Sequence, residues 1–537
     1  MLSLASLRTL QKGRETNTAL SHNFGTLTIQ AGKCGILHNQ VTLGYNVDRS
    51  GSMSTRAKDG RTKLEHATYT LEQMVHYLQE DRSMAACTAR VGVNAFDHQN
   101  TPLAVAQRLG LHRCKDNMWA SLGEEEERKK LLSSLGALRT RGSTDIGGAC
   151  ALIKEEFGSL GPAQPAEHRA HILLTDGLPN QGPETAEGIF ACCPTGCDNY
   201  FIGYGADHDG MLLQRLAALT GGQYHFVDSF ENAGMVYGEI LHGILFKAAT
   251  EVILRIEGAE LYDFRTNKWC DELSLPDFAS EQSRTFHFRF SWEQASPLRV
   301  LCSYKSLGDA DESPRESLSA TSWEYNHHET VSEDTRDGEV HKYWYRQQTL
   351  ELLHEAREAC IALLRTEPKI GADGDDLLKT KLETFLEAMK EFMKKTGLEQ
   401  DEFMMKLCDD IFVAHSSVGV KYGGLKYVTS RQASQGEERC YTVCDLSLLG
   451  LGCGARSPPA LRRANAGTPP MPVLQHEMSQ NIATCYTSPM QVSLMKAVSC
   501  PADGASAHGR ASAHGLSRVK KGFSMEQFSE EFEKVLE

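Results

Sequence analysis

The sequence predicts an α/β fold: a doubly wound, mainly parallel sheet, followed by a small antiparallel β domain and a helical unit. Three observations predict it. Short apolar runs alternate with amphipathic helical stretches from about residue 40 to about residue 245, the pattern of a parallel sheet covered on both faces. After Lys247 the apolar period drops from 3.6 to 2. From about residue 340 the helical period returns, with no strand-like runs between.

The elements follow in order. Residues 1–39 form a polar, irregular N-terminal segment, with a strand near Gly25–Gln30. The α/β unit is placed at 40–246. Its first strand runs from Val41 to Asp48, and a helix follows at Lys63–Leu78, with Leu64, Ala67, Leu71, Met74, Val75 and Leu78 on one stripe. Strands are expected at Arg90–Phe96, Pro102–Arg108, Ala170–Leu174, Tyr200–Tyr204 and Gln223–Val227. Helices are expected at Ile146–Phe157, Gly210–Leu219 and Phe230–Phe246. The β domain at 247–306 rests on three alternating sets: Val252, Leu254 and Ile256; Phe286, Phe288 and Phe290; Val300, Cys302 and Tyr304.

Residues 307–339 are acidic and Ser-rich and read as a linker. A helical unit occupies 340–422, with helices at about 340–364, 375–395 and 400–414. Residues 423–522 read as a low-complexity, largely disordered tail, in which Ala-Ser-Ala-His-Gly recurs at 505–509 and 511–515. A short amphipathic helix is expected at 523–537, opened by Ser524 and Gln527 as a capping box, with Met525, Phe528, Phe532 and Val535 on one face.

Composition narrows the function. The 537 residues suggest about three domains at roughly 100–200 residues each. A net charge of −14 argues against nucleic acid as a partner, because phosphate binding needs a basic face. No apolar run approaches the roughly 20 residues that span a bilayer. The 16 cysteines form no Cys-x-x-Cys pair, the N-terminus lacks a secretory pattern, and no Asn-x-Ser/Thr acceptor occurs. These features place the chain in the cytoplasm ahead of a mitochondrial or secreted location, with its thiols reduced.

The chemistry is carried by five oxygen-bearing residues: Asp48, Ser50, Ser52, Thr144 and Asp176. Asp48-Arg49-Ser50-Gly51-Ser52 and Thr175-Asp176-Gly177 each follow an apolar run, where loops at the C-terminal ends of parallel strands bind ligands. Mg²⁺ prefers six oxygens in a near-ideal octahedron, with Mn²⁺ or Ca²⁺ as alternatives. Three neutral hydroxyls leave the ion much of its charge, so an open position attracts an anionic oxygen from outside. Gly51 and Gly177 are expected to let the backbone bend around the ion. Arg49 reads either as a second hold on an incoming carboxylate or as a solvent-facing side chain.

On these residues, about 40–245 resembles a von Willebrand factor type A (VWA) domain, and the five residues match its metal-ion-dependent adhesion site (MIDAS). Arg141-Gly142-Ser143-Thr144-Asp145-Ile146, Gly205-Ala206-Asp207-His208-Asp209 and Thr220-Gly221-Gly222-Gln223-Tyr224 add to the likeness. The resemblance implies a Rossmann-like sheet and a metal ion that captures an Asp or Glu carboxylate of a protein partner. Glu281-Gln282-Ser283-Arg284-Thr285-Phe286, Tyr343-Trp344-Tyr345-Arg346-Gln347-Gln348-Thr349-Leu350 and Tyr486-Thr487-Ser488-Pro489-Met490 resemble the VWA and intein-like (Hint) associated region.

Two modules of that group are missing from the sequence. A RING zinc module needs paired cysteines, and Cys192, Cys193 and Cys197 are one ligand short with poor spacing. No block matches the Hint nucleophile and His elements. Phosphate-loop, zinc-protease and nucleophile-elbow motifs are absent too. His208, between two acids, suits a capping or packing role better than general-base work. The expectation is a non-enzymatic, Mg²⁺-dependent protein-interaction module in an intracellular scaffold or adaptor. A substrate adaptor of a ubiquitin-ligase system and an extracellular adhesion protein are the alternatives.

Overall fold

The structure, a computed structural model, describes residues 2–9, 22–36, 38–56, 60–80, 84, 87–103, 106–107, 116–164, 167–205, 208–227, 233–291, 297–306, 319–325, 337–365, 373–420, 424–439 and 486–498. Two antiparallel strands come first, β1 (Leu2–Thr9) and β2 (His22–Ala31). The α/β unit then runs through β3 (Gln40–Asp48), α1 (Lys63–Glu80), β4 (Thr88–Phe96) and β5 (Asn100–Pro102). Next are β6 (Ala106–Gln107), β7 (Asp116–Asn117), β8 (Trp119–Ser121), α2 (Glu125–Gly136) and α3 (Ile146–Ser159). It closes with β9 (Glu167–Thr175), α4 (Ala186–Phe190), β10 (Asp198–Tyr204), α5 (Gly210–Thr220), β11 (Gln223–Val227) and α6 (Ala233–Leu245).

Its sheet has the order β11-β10-β9-β3-β4-β5, with β8 also on β4. The five strands from β11 to β4 are parallel, and β5 and β8 are antiparallel additions. Numbered among themselves, the parallel strands stand in the order 2-1-3-4-5. Their switch point therefore lies between β3 and β9, where a ligand crevice opens at the carboxyl ends. Strand alternation sends Val41, Leu43, Tyr45 and Val47 to one face, packed with α1 and α6, while Leu173 and Phe201 meet α3, α4 and α5 on the other.

The antiparallel part continues with β12 (Lys247–Glu257), β13 (Glu260–Asp263), β14 (Lys268–Cys270), β15 (Glu272–Leu275), β16 (Phe278–Ala279), β17 (Ser283–Ser291), β18 (Leu298–Ser306) and β19 (Ser319–Tyr325). Two sheets face each other, β1-β2-β17-β13-β14 and β15-β12-β18-β19, with β16 beside β12. Leu27, Ile29 and Phe288 of the first share a core with Val252, Leu254, Val300 and Cys302 of the second.

This differs from the sequence reading in two places. Residues 1–39 are not an irregular lead-in: β2 pairs with β17 over nine residues, so the N-terminal hairpin completes the sandwich. Residues 307–339 hold β19, paired along the whole inner part of β18. The alternating apolar faces of β17 and β18 need partner strands: the strand expected near Gly25–Gln30 is β2, beside β17, whereas β19, beside β18, comes from sequence too polar to announce itself. The α/β unit is thus an insertion between β2 and β12.

Helices α7 (Asp337–Arg365), α8 (Asp373–Thr396), α9 (Glu402–Ser417) and α10 (Gly424–Glu437) form the helical unit around Leu353, Leu382, Met389, Leu407 and Ile411. Helix α11 (Pro489–Val498) packs on α6 and α1, its Leu494 and Val498 entering the core of the α/β unit. Both α10 and α11 fall in 423–522, read from sequence as largely disordered. The repeats at 505–515 and the helix expected at 523–537 lie outside the described residues. The described cysteines, from Cys34 to Cys408, are free thiols. Among the described residues no helix is long and apolar enough to cross a membrane.

The segment Glu437–Arg439 joins all three parts. Arg439 donates from Nη1 to the carbonyl of Tyr224 on β11 (3.0 Å). Glu438 accepts from the Thr285 N–H of β17 (2.9 Å) and pairs with the buried Arg346 of α7 (3.0 Å). Arg346 also donates to the carbonyls of Thr285 and Gln435. A buried guanidinium needs this degree of satisfaction.

Candidate metal centre

Three loops meet at the β3/β9 switch point. The first leaves β3 at Asp48 and makes a single 3-10 turn at Gly51–Ser54. The second carries Thr144 and ends in Asp145, which caps α3 by accepting from the Gly148 N–H (2.8 Å). The third leaves β9 at Thr175. Main-chain bonds hold them in register: Gly51 N–H to the Gly142 carbonyl (3.2 Å), Arg141 N–H to the Arg49 carbonyl (2.7 Å), and Asn180 N–H to the Thr144 carbonyl (3.1 Å). Asn180 also accepts from the Thr144 N–H through Oδ1 (2.7 Å).

All five residues expected from sequence come together. Asp48 and Asp176 are fully buried, Ser50 and Thr144 are nearly so, and Ser52 is exposed at the mouth. Ser50 Oγ lies 3.0 Å from Ser52 Oγ, which donates to Asp176 Oδ1 at 2.6 Å. Asp48 Oδ1 accepts from the Ser50 N–H (2.7 Å), and Oδ2 accepts from the Thr175 hydroxyl (2.6 Å). A Cβ at Gly177 would stand 3.1 Å from Thr144 Oγ1 and 3.8 Å from Ser52 Oγ, so both hydroxyls crowd one spot.

These residues fit a small divalent ion. Metal–oxygen bonds of about 2.0–2.1 Å place neighbouring corners of an octahedron about 2.9 Å apart, close to the oxygen spacings seen here. Ser50, Ser52 and Thr144 would hold such an ion, with Asp48 and Asp176 beneath. Burial pushes the Asp48 carboxyl up from its ordinary 3.8 to about 6. The hydrogen bonds from Thr175 and Ser50 pull it down, and the neighbouring Asp176 adds to the rise. Two buried acids this close leave a site that gains from a cation.

The two glycines act differently from expectation. Neither Gly51 nor Gly177 has a positive φ. Gly177 matters for space, because any side chain there would press on the Thr144 hydroxyl.

Arg49 takes neither role expected of it. It is buried and tied to Asp97, Nε to Oδ2 at 2.9 Å, and to Thr101 Oγ1 at 2.6 Å. Asp97 also accepts from Arg141 Nε (2.7 Å) and the Gln99 N–H (2.9 Å). Burial alone would raise its carboxyl, but these bonds and the charges of Arg49 and Arg141 hold it below its usual range.

His208 is a packing residue. It is buried between the Gly205 carbonyl (Nδ1, 2.6 Å) and the Tyr224 hydroxyl (Nε2, 2.7 Å). Burial and nearby Lys426 lower its pKa to about 3. Asp209 caps α5 by accepting from the Leu212 N–H (3.0 Å), and Asp207 lies outside the described residues.

Sequence reasoning missed Lys63, Thr175 and Asp97. Lys63 Nζ donates to Asp176 Oδ2 at 2.7 Å, with both side chains buried. Thr175 could have been found from its place in Thr175-Asp176-Gly177. Nothing in the sequence points from Lys63 to a carboxylate more than a hundred positions away.

No family model matches the chain, and no curated protein matches it. Solved structures do resemble it. One is a von Willebrand factor type A protein from Catenulispora acidiphila, 15% identical, covering 82% of this chain and 97% of its own, with a TM-score of 0.48. Another is the ArnB paralog VWA2 from Sulfolobus acidocaldarius, 12% identical, covering 82% of this chain and 100% of its own, with a TM-score of 0.42. A third is proximal thread matrix protein 1 from the mussel byssus with a zinc-occupied MIDAS motif. It is 17% identical, covers 40% of this chain and 49% of its own, and has a TM-score of 0.28.

Proposed function

We propose that the chain is a non-enzymatic, divalent-metal-dependent protein-interaction module built on a VWA-type domain. Ser50, Ser52 and Thr144 hold the ion, Asp48 and Asp176 support it, and an Asp or Glu carboxylate of a partner protein completes its shell. One observation carries this reading: at the switch point of the sheet Asp48 Oδ1 accepts from the Ser50 N–H, Ser50 Oγ lies against Ser52 Oγ, and Ser52 Oγ donates to Asp176 Oδ1, which gathers the two acids and the hydroxyls at one place. Mg²⁺ is the ion favoured by three hydroxyls and two carboxylates. The β-sandwich and the helices, with Tyr486 donating to Gln435 of α10 (2.7 Å), serve as a VWA/Hint-associated scaffold.

The test is partner capture by the full chain in Mg²⁺ and in EDTA, read by mass spectrometry beside Asp48→Asn. A partner recovered by wild type in Mg²⁺, and lost with EDTA and with Asp48→Asn, supports the reading. Equal capture in all three arms overturns it.

A further inference from the structure

We propose that Arg141 forms a second subsite beside the metal mouth, which takes a second carboxylate of an acidic partner segment whose first carboxylate completes the shell of the ion. This rests on the metal-centre reading above and adds a class of partner to it: a stretch of chain with two or more Asp or Glu residues close together.

The subsite is built by the second metal loop and the turn after β4. Asp97, fully buried, accepts from Arg49 Nε (2.9 Å) and Arg141 Nε (2.7 Å) on the same oxygen, Oδ2. Two guanidiniums thus share one carboxylate. Arg49 is buried and ends on Thr101. Arg141 is not: 52% of its side chain is exposed. Besides Asp97 its guanidinium meets Gln99 among the described residues, Nη2 to Oε1 at 3.3 Å. The other acid of its loop, Asp145, is turned to the start of α3, where it accepts from the Gly148 N–H. The Arg141 fork is therefore anchored at Nε with its end left to solvent. A fork fixed in this way suits a carboxylate held by two parallel bonds.

The floor between the two subsites carries no side chains. Ser52 stands at the exposed mouth, and Gly51 before it donates its N–H to the carbonyl of Gly142, the neighbour of Arg141 (3.2 Å). Both glycines are exposed. Gly142 has a φ of 73°, and a Cβ there would stand 2.4 Å from Nδ1 of the half-exposed His98, whose ring lies against this floor. Asp48 and Phe96 are paired on β3 and β4, so the loops of the two subsites leave adjacent strands, about 4.8 Å apart. Alternate side chains of an extended segment share one face about 6.6 Å apart, the order of separation between neighbouring loops.

The experiment measures Mn²⁺ binding to the full chain by electron paramagnetic resonance. Two blocked peptides are then titrated at saturating Mn²⁺ and followed by their nuclear relaxation: an aspartate followed by three glutamates, and an aspartate followed by three glutamines. Wild type should prefer the acidic peptide by about three- to five-fold, the size of a solvent-exposed ion pair. Arg141→Gln should lose that preference while Mn²⁺ and the glutamine peptide bind as before. A merely structural Arg141 would weaken those two as well. If Arg141→Gln does not fold, Gln99→Glu carries the same comparison, because it sets an acid of the chain itself against the Arg141 fork. Equal binding of the two peptides by wild type, a preference that survives in the folded variant, or a preference lost together with Mn²⁺ or the glutamine peptide overturns the subsite. A wild type that binds no Mn²⁺ overturns the metal-centre reading itself, and a Mn²⁺-loaded wild type that binds neither peptide overturns its capture of a carboxylate.

Discussion

Arg49 lies inside the loop that carries Asp48, Ser50 and Ser52, yet its guanidinium is directed away from the metal position to Asp97, 2.9 Å from Nε to Oδ2. The ion pair fastens the loop after β3 to the end of β4. Asp97 is fully buried, so its removal leaves Arg49 as a buried cation with one bond, to Thr101. Asp97→Ala should cost about 3–5 kcal/mol, the usual result of orphaning one member of a buried pair. Chemical denaturation with and without Mg²⁺ checks this, and the loss should persist in EDTA.

Thr144→Ala should behave in the opposite way. Its hydroxyl faces the space between the loops, while its main chain is held by Asn180. In EDTA the variant should melt within a degree or two of wild type. Mg²⁺ at about 100 times its dissociation constant should stabilise wild type by about 2.7 kcal/mol and the variant by far less. Paired melting curves in EDTA and Mg²⁺ read this directly.

Glu239 on α6 gives a pH dependence unrelated to the metal. Burial pushes its carboxyl up from its ordinary 4.5 to about 7, against the pull of Arg439. Its Oε2 is enclosed without a hydrogen-bond partner. The folded chain therefore keeps a proton that the unfolded chain releases near 4.5. This group's share of stability is full below that pH and is lost as pH rises through 7. Glu239→Gln should remove that slope and raise stability at pH 8 by up to about 3 kcal/mol. Denaturation midpoints at pH 5 and pH 8 test it.

Helix α11 should be an integral part of the α/β unit. A Cβ at Gly238 on α6 would lie 2.6 Å from Met495 Cα, so the two helices touch backbone to backbone. Leu494 is buried in the same core as Val41 and Ile240. Leu494→Ala should cost about 2–5 kcal/mol. Limited proteolysis should release the 489–498 segment faster from this variant than from wild type.

The parallel sheet and the five-residue centre were legible because their signals are local. Each strand of the α/β unit is an apolar run, and each metal loop is a short motif at the end of one. Lys63 and Asp97 were hidden because their partners come from other loops, and only the folded sheet brings them together. β1 and β19 were hidden for a different reason. Leu2–Thr9 and Ser319–Tyr325 are rich in Ser and Thr, and their pairing is dictated by the strands they lie against. The helix at Gly424–Glu437 escaped because buried Gln432 and Gln435 bond to Phe264 and Asp410 where apolar residues would have set the period.

The insertion of the α/β unit between β2 and β12 has a mechanical consequence. Both covalent crossings lie at the end of the sheet opposite the metal loops, one before β3 and one after α6. Ser280 clasps them together: its hydroxyl donates to the Cys34 carbonyl (3.1 Å) and accepts from the Cys34 N–H (2.8 Å), while its own N–H donates to the Phe246 carbonyl (2.7 Å). The unit therefore does not hang from the sandwich by a single thread, and Ser280 ties its two crossings to each other.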